Sequence, residues 1–112
     1  MEAKAISKYQ RISAQKARLV ADEIRGFSFP EAVDVLKAVP RKASKLILKT
    51  LYSAGANAKY KKPDLLEKEL YIKKITVDEG PTMKRFRARA RGRASRLRKR
   101  TSSIVVVLSN EN

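Results

Sequence analysis

The stretch of sequence that decides the architecture is residues 84–100, which read KRFRARARGRASRLRKR. Ten of these seventeen residues are Lys or Arg, and no acidic residue occurs between Gly80 and Asn110. Five arginines stand on alternate positions, namely Arg85, Arg87, Arg89, Arg91 and Arg93. Alternation is the side-chain period of an extended strand, which would place them in one row at intervals of ~6.6 Å, whereas a helix would scatter them. The pattern therefore predicts a strand that carries a row of fixed positive charges.

Two strand-like segments flank this basic stretch. Leu70 to Val77 is rich in Ile, Val, Tyr and Thr, and Ser103 to Leu108 is more apolar. If they pair antiparallel with Val77 opposite Ser103, the chain between them must go out, turn near Ala90 and come back. Each leg would then have about a dozen residues, or ~40 Å, which is longer than a compact domain of this size can cover. The sequence therefore predicts a long protruding β-hairpin.

Two short amphipathic helices are predicted in the first forty residues. The first lies between Ser13, a predicted N-cap, and Gly26, a predicted stop. Its apolar positions at helical spacing are Ala17, Val20, Ala21 and Ile24. Ser28 and Glu31 form a capping-box pattern for the second helix, which Pro40 ends. The apolar positions of that helix are Ala32, Val35, Leu36 and Val39.

A third, longer helix is predicted from about Arg41 to Tyr60, on the apolar positions Ala43, Ile47, Leu51, Ala54 and Ala58. Its small residues within 54–58 would let another element, or RNA, approach closely. Its cations Arg41, Lys42, Lys45 and Lys49 follow the polar face, where solvent is the first interpretation and phosphate contact the second. Residues 3–10 read as a short polar strand or an extended arm. The sequence thus predicts an α+β fold: three helices packed on a small antiparallel sheet, with a long protruding β-hairpin.

Composition excludes several classes of function. The 112 residues, which suggest a single domain, carry 27 basic and 11 acidic side chains for a net charge of +16. Without Cys or His the chain lacks disulfides, thiolate zinc sites and the usual general base, and no cofactor is expected. The start has no signal-peptide core, and the longest apolar run, Ile104 to Leu108, is too short to span a bilayer. We therefore expect a soluble intracellular protein, with a body of about 1–79 and 101–112 and a basic arm of about 80–100.

The basic stretch suits a polyanion, and nucleic acid is the expected partner. The alternative without a specific function is a disordered basic tail or a solvated surface. A plain tail is not usually followed by so apolar a strand, and a surface would carry some acids. Phe86 could stack on an exposed base or pack against the arm itself. An architectural DNA-binding protein with a minor-groove arm is the second hypothesis, and a membrane-surface or enzyme-accessory protein is disfavoured because the stretch has little apolar content.

Three cations, Arg11, Lys16 and Arg18, cluster at the start of the first predicted helix. Exposed backbone N–H groups there attract anions, so these residues predict a phosphate site, with ordinary surface charge as the alternative. The adjacent acidic pairs, at 22–23 and 78–79, point to opposite faces of a strand and do not face each other on a helix. No paired-carboxylate site, glycine-rich phosphate loop or zinc spacing appears, so the sequence predicts no enzyme.

Several ordered stretches resemble a known family. They are Arg11-Ile-Ser-Ala-Gln-Lys-Ala-Arg-Leu-Val20, Leu51-Tyr-Ser-Ala-Gly-Ala-Asn-Ala58, Val77-Asp-Glu-Gly-Pro81, Met83-Lys-Arg85, Ala90-Arg-Gly-Arg-Ala94 and Lys99-Arg-Thr-Ser102. The chain resembles, nearly end to end, the bacterial large-subunit ribosomal proteins of the L-twenty-two family. One departure is Ala88, which stands where the family usually has proline, and it implies a less rigid tip.

The resemblance implies an α+β body on the outside of the large subunit and a β-hairpin that reaches through ribosomal RNA (rRNA) to the nascent-peptide tunnel. It implies a structural role in subunit assembly, in a cytoplasmic or organellar ribosome. Expected partners are large-subunit rRNA, neighbouring ribosomal proteins and the nascent peptide, without membrane or homo-oligomer. From charge and resemblance, the expected rRNA-binding residues are Arg11, Ser13, Lys16, Arg18, Asn57, Lys84, Arg85, Arg87, Arg89, Arg91, Arg93, Arg96, Arg98, Lys99 and Arg100. The expected tunnel tip is Arg89, Ala90, Arg91, Gly92 and Arg93.

Overall fold

The computed structural model describes residues 1–79, 83–89, 93–99 and 101–111. Its elements in chain order are β1 (Glu2–Gln10), α1 (Ala14–Ile24), α2 (Phe29–Ala38), α3 (Lys42–Lys61), a 3₁₀ turn (Glu67–Glu69), β2 (Tyr71–Glu79), β3 (Met83–Arg89), β4 (Arg93–Lys99) and β5 (Ser102–Ser109). We call the part formed by 1–79 and 101–111 the body, and the two-stranded sheet of β3 and β4 the arm. The expected α+β fold is confirmed.

The body is a three-stranded antiparallel sheet with helices on one face. Its strand order is β1-β5-β2, so β5, the last strand of the chain, lies in the centre. Ile104, Val106 and Leu108 of β5 are fully buried, since their strand period turns them all toward the helices. α3 packs on β1 and β5, and α1 packs on β2. The apolar strand β5 lies between β1 and β2, so the core forms between this strand and the helices.

The caps that the sequence predicted for the first two helices are present. The Ser13 hydroxyl accepts a hydrogen bond from the Lys16 amide, and Gly26 takes a φ of 82° after the last turn of α1. At α2, the Ser28 hydroxyl accepts from the Glu31 amide and donates to the Glu31 carboxylate. The predicted apolar positions of α1 and α3 are all buried. Local capping and helical periodicity therefore determine these helices.

The buried face of α2 differs from the predicted one. Val33 and Phe29 are buried together with Ala32 and Leu36, whereas Val35 and Val39 are only partly buried. Phe29 lies against Gly55 of α3, where an added Cβ would come within 2.8 Å of the phenyl ring. The predicted close approach at the small residues of α3 is therefore made by another element of the same chain.

The register of β2 on β5 is shifted by one residue from the predicted pairing. Val77 pairs with Ile104, and Ser103 pairs with Asp78. The prediction that Val77 pairs with Ser103 was therefore wrong. The observed register puts Val77 and Ile104 on the buried face together, and burial of apolar side chains decides register.

Helix side chains cover both outer edges of the three-stranded sheet. On the β2 edge, Arg25 Nη1 donates to the Ile75 carbonyl over 2.8 Å and Arg18 Nε donates to the Val77 carbonyl over 3.0 Å. On the β1 edge, the carbonyls of residues 2 and 4 accept hydrogen bonds from Lys61 Nζ and Asn57 Nδ2. Uncovered edges invite pairing with other chains, so these contacts stabilise the sheet as three strands.

Candidate nucleic-acid interface

The arm is a regular antiparallel ribbon. Seven residues of β3 pair with seven of β4, from Met83 opposite Lys99 to Arg89 opposite Arg93. β3 and β4 make their extensive contacts with each other, and the molecule as a whole measures 63 × 26 × 18 Å. The predicted hairpin strands are therefore present. The predicted turn near Ala90 and the residues Arg91, Gly92 and Arg100 lie outside the described residues.

The arm carries its cations on both strands. β3 contains four, namely Lys84, Arg85, Arg87 and Arg89, and β4 contains four, namely Arg93, Arg96, Arg98 and Lys99. No acidic residue occurs in either strand. Eight of fourteen residues are therefore positive, with no carboxylate of the arm to neutralise them.

The alternating arginines do not form one continuous row. Arg85, Arg87 and Arg89 follow each other along β3, as predicted, but Arg93 begins β4 and is the cross-strand partner of Arg89. The prediction of a single row of five was therefore wrong, because the chain reverses between residues 89 and 93. Lys84 is likewise paired with Arg98. Like charges at directly opposite positions destabilise a strand pair, so the ribbon carries a cost that an external anion would remove.

The start of α1 lies at the base of the arm. The Ser102 hydroxyl, at the first residue of β5, donates to the Ile12 carbonyl over 2.7 Å in a buried contact. This bond holds Arg11, Ser13 and Lys16 near the point where β5 meets the arm. Arg11 and Lys16 are exposed, and Ser13 is half-buried with its hydroxyl engaged as the helix cap.

Other predicted site residues have partners within the body. Arg18 is exposed but its Nε is bonded to the Val77 carbonyl, close to the base of the arm. Asn57 donates to the Lys4 carbonyl over 2.9 Å. Lys4 pairs with Val107, five residues along β5 from Ser102, so Asn57 lies ~17 Å from the base of the arm. The structure therefore brings Arg11, Ser13, Lys16 and Arg18 together and leaves Asn57 apart.

One cation that the sequence analysis did not assign to the site joins this group. Lys42, in the first turn of α3, donates from Nζ to the Arg11 carbonyl over 3.0 Å. Its position in the first turn of α3 was predictable from the sequence, but the packing of α3 beside residue 11 was not. Lys42 and Arg11 thus add two charges on the same side of the body.

The carboxyl groups of the body whose pKa values are shifted lie at the opposite end of the sheet from the arm. Glu2 accepts a hydrogen bond from Lys73, which lowers the pKa of Glu2 and raises the pKa of Lys73. The Met1 ammonium donates to Glu111 over 2.8 Å and lowers the pKa of the Glu111 carboxyl. These carboxylates are already matched to cations of the body. They are therefore not placed to neutralise the arm.

None of the described helices combines the length and apolar character needed to cross a bilayer. Among the described residues no group of three or more potential metal ligands is found. The site is a basic ribbon without acidic residues, and its base carries further cations together with the exposed carboxylates of Asp78 and Glu79. This is the arrangement of a basic structural protein suited to a polyanion.

Comparison with known proteins identifies the family. The family model described as Ribosomal protein L22p/L17e matches residues 5–109. The chain belongs to this family, which confirms the resemblance read from the sequence, and it is a structural constituent of the large ribosomal subunit. The family is not enzymatic, so the prediction that the chain is no enzyme is also confirmed.

Several bacterial relatives match nearly the whole chain. A large ribosomal subunit protein uL22 of Leptospira biflexa serovar Patoc (strain Patoc 1 / Ames) is 58% identical over 109 residues, covering 97% of this chain and 94% of the relative. The proteins of the same name from Halothermothrix orenii and Bifidobacterium longum (strain DJO10A) are 53% and 51% identical, each covering 99% of this chain and 97% of the relative. These bacterial ribosomal relatives confirm the predicted location in the cytoplasm, within the ribosome.

Proposed function

We propose that the protein binds large-subunit rRNA chiefly through its arm and thereby assists assembly of the subunit. The observation that carries this proposal is the composition of β3 and β4, with eight cations in fourteen residues and no acid. Neutralised phosphates release their counterions, so such a ribbon binds RNA with an affinity that falls steeply with salt. Membership in a large-subunit family favours rRNA over duplex DNA as the polyanion.

The mechanism is charge neutralisation and fit of shape. The paired cations of the ribbon would bridge phosphates of neighbouring RNA helices that otherwise repel each other. Reading of base sequence is secondary, because the deep groove of A-form RNA is too narrow for side chains. The ribbon would in turn gain the counter-charge that its opposed pairs, Lys84 with Arg98 and Arg89 with Arg93, lack.

The base of the arm extends this interface onto the body. Arg11, Lys16 and Arg18 are exposed beside the start of α1, and Lys42 lies next to Arg11. We include these cations, and Ser13 through its cap of the helix, in the proposed rRNA surface. Asn57 belongs to it only if RNA also reaches the β1 edge.

A finer part of the proposal concerns the end of the arm. Residues 89–93 would line the nascent-peptide tunnel and contact the growing chain. Support comes from the family resemblance and from the 63 Å length of the molecule against widths of 26 and 18 Å. Photo-crosslinkers placed at Arg89 and Arg93 in assembled ribosomes should capture a stalled nascent peptide, and crosslinkers at Lys37 and Lys68 should not. Capture at all four positions, or at none, would contradict the tunnel placement.

A deletion tests the main proposal. Residues 84–100 are replaced by a short glycine-serine turn in the full chain, and rRNA affinity and incorporation into assembling large subunits are measured. We expect both to fall strongly, because all ten cations of this stretch are lost. A matched control replaces every arginine of the arm by lysine, which keeps the charge. If deletion leaves affinity and assembly unchanged and alters only tunnel behaviour, the arm does not anchor the protein.

A further inference from the structure

The outer face of α3 is a second basic surface, away from the arm. We define the α3 face as the residues that line a shallow groove of about 470 Å³, namely Lys45, Leu48, Lys49, Tyr52, Ser53 and Ala56. This face lies opposite the buried stripe of α3, which packs on β1, β5 and α2. Lys45, Lys49, Tyr52, Ser53 and Ala56 are exposed. The groove is therefore open to a partner.

The charge of the body is concentrated around this helix. Residues 35–63 contain eight basic residues and no acidic one. The rest of the body, 1–34 with 64–79 and 101–112, contains nine basic and eleven acidic residues, for a net charge of −2. The stretch that contains α3 thus supplies all of the body's net positive charge. Within the described part of the chain, no salt bridge involves Lys45 or Lys49, so both ammonium groups are available to an anion.

The aromatic residue in the groove is held by the core beneath it. The ring of Tyr52 meets the ring of Phe29 edge to face, with centroids 6.4 Å apart and planes at 64°. Phe29 is fixed in turn against Gly55, which has no side chain to displace it. Tyr52 nevertheless keeps 44% of its surface exposed. A ring that is supported from below and remains nearly half exposed can act as a stacking platform.

We propose that the α3 face takes an unpaired nucleotide of the large-subunit rRNA, with its base on Tyr52 and its phosphates beside Lys45 and Lys49. Aromatic rings bind unpaired bases through stacking, and lysines bind the adjacent phosphates. Lys45 and Lys49 are one helical turn apart, or ~6 Å along the axis, and both precede Tyr52 on the same face of α3. Small side chains at Ser53 and Ala56 leave room for the base. This site rests on the proposed binding of rRNA, is separate from the arm and adds a contact to the body.

The chemistry of the face favours RNA over its alternatives. Apolar residues that could enter lipid are limited to Leu48 and Tyr52, whereas a membrane-surface helix needs a broad apolar face. An acidic segment of a neighbouring protein would satisfy the lysines but would not use the exposed aromatic ring of Tyr52. A protein neighbour on this helix is therefore the competing outcome of the test.

The test uses the full chain and large-subunit rRNA. Tyr52→Ala should weaken binding by roughly fivefold to 150-fold, the usual loss for one stacked base, and Tyr52→Phe should bind as the parent does. Lys45→Gln with Lys49→Gln should reduce the slope of log affinity against log salt by about 1.4, at ~0.7 for each unpaired phosphate. Lys68→Gln, an exposed lysine between two glutamates, is the control and should leave both quantities unchanged. Thermal melting of each variant establishes that it is folded.

Ultraviolet crosslinking of the assembled subunit supplies an independent measurement. A crosslink between Tyr52 and an unpaired rRNA nucleotide supports the proposal. A crosslink between the α3 face and another ribosomal protein overturns it, and so does parent-like affinity in Tyr52→Ala together with an unchanged salt slope in the lysine variant. These outcomes are distinct from failure of the arm, since the arm deletion leaves Tyr52, Lys45 and Lys49 in place.

Discussion

The two sheets of the molecule are stabilised in opposite ways. In the body, three strands bury Ile104, Val106 and Leu108 under helices, and side chains from α1 and α3 cover both edges. In the arm, two strands carry eight cations, with like charges opposed at two of the seven paired positions. A two-stranded ribbon is marginal in water even without such repulsion. The body is therefore ordered by its own contacts, whereas the proposed binding of rRNA would supply the counter-charge that the arm lacks.

The largest effect should follow from neutralising the arm. The change is Arg85→Gln, Arg87→Gln, Arg89→Gln and Arg93→Gln together. Loss of four phosphate contacts should reduce the salt slope of rRNA binding by about 3, measured by titration over a range of salt. The melting temperature of the free protein should stay the same or rise, because self-repulsion falls.

The matched control for that experiment removes four cations of the body instead, namely Lys8, Lys37, Lys68 and Lys74. If this control lowers the salt slope as much as the arm variant does, total charge governs binding and the distinction between arm and body is lost. A large fall in the melting temperature of the arm variant would also contradict the comparison.

Truncation of a core side chain should instead lower the stability of the protein and leave the salt dependence of rRNA binding unchanged. Leu51→Ala removes a fully buried side chain beneath β1 and β5 and should lower the free energy of unfolding by about 2–5 kcal/mol, measured by urea titration. Leu66→Ala, at a leucine 52% exposed, should cost far less. While the protein is folded, neither variant should change the salt slope of rRNA binding. Equal costs at the two positions would argue against the assigned core.

Arg18 of α1 and Arg25, the residue that follows α1, distinguish coverage of the sheet edge from contact with phosphate. Arg18→Gln and Arg25→Gln each remove a hydrogen bond to a carbonyl of β2 and should each destabilise the body by about 1 kcal/mol. Only Arg18 belongs to the proposed rRNA surface, so only Arg18→Gln should also lower the salt slope, by about 0.7 to 0.9. Equal slopes in the two variants would assign Arg18 to the body alone.

The smallest expected effect is the pH dependence of stability that arises from the end of the sheet away from the arm. Hydrogen bonds from Lys73 and from the Met1 ammonium hold the pKa values of Glu2 and Glu111 below their usual 4.5. Between those lowered values and 4.5 the unfolded chain binds more protons, so this stability is present above pH 4.5 and is lost as pH falls through the folded pKa values.

The pairing of Lys73 with Glu2 also makes stability depend on pH at high pH, with the opposite sign. The pKa of Lys73 is raised above its usual 10.5, so its contribution is lost only as pH rises through that higher value. The groups are exposed, so the effects are small and should weaken at high salt. Lys73→Gln should flatten the acid-side loss attributed to Glu2 in urea titrations from pH 3 to pH 6. An unchanged acid profile in that variant would contradict the pairing.

The sequence predicted features that depend on local chemistry. Ser13, Gly26 and Ser28 mark helix ends through their own side chain or φ, and the apolar period of α3 identified its buried face without knowledge of its partners. Strand period and the absence of acids likewise identified the arm. These predictions were correct because each depends on residues close together in the chain.

Features that depend on distant residues were not predictable in this way. The register of Val77 was wrong by one residue because it is set by burial opposite Ile104, not by the sequence around it. The register of β2 on β5 is also irregular between Ile72 and Lys74, and no turn residue in the sequence indicates this. Arg18 and Asn57 are residue types that often bind RNA, yet both donate hydrogen bonds to backbone carbonyls of the body. Only the packing of the helices on the sheet shows which carbonyls lie within reach.

Amide hydrogen exchange, followed peptide by peptide, compares the two sheets most directly. It is measured on the free protein and again on the protein within the large subunit. We expect the amides of residues 83–89 and 93–99 to exchange far faster than those of β5 in the free protein and to become protected on assembly, while β5 is protected in both. Protection of the arm equal to that of β5 in the free protein would show that the ribbon needs no external polyanion.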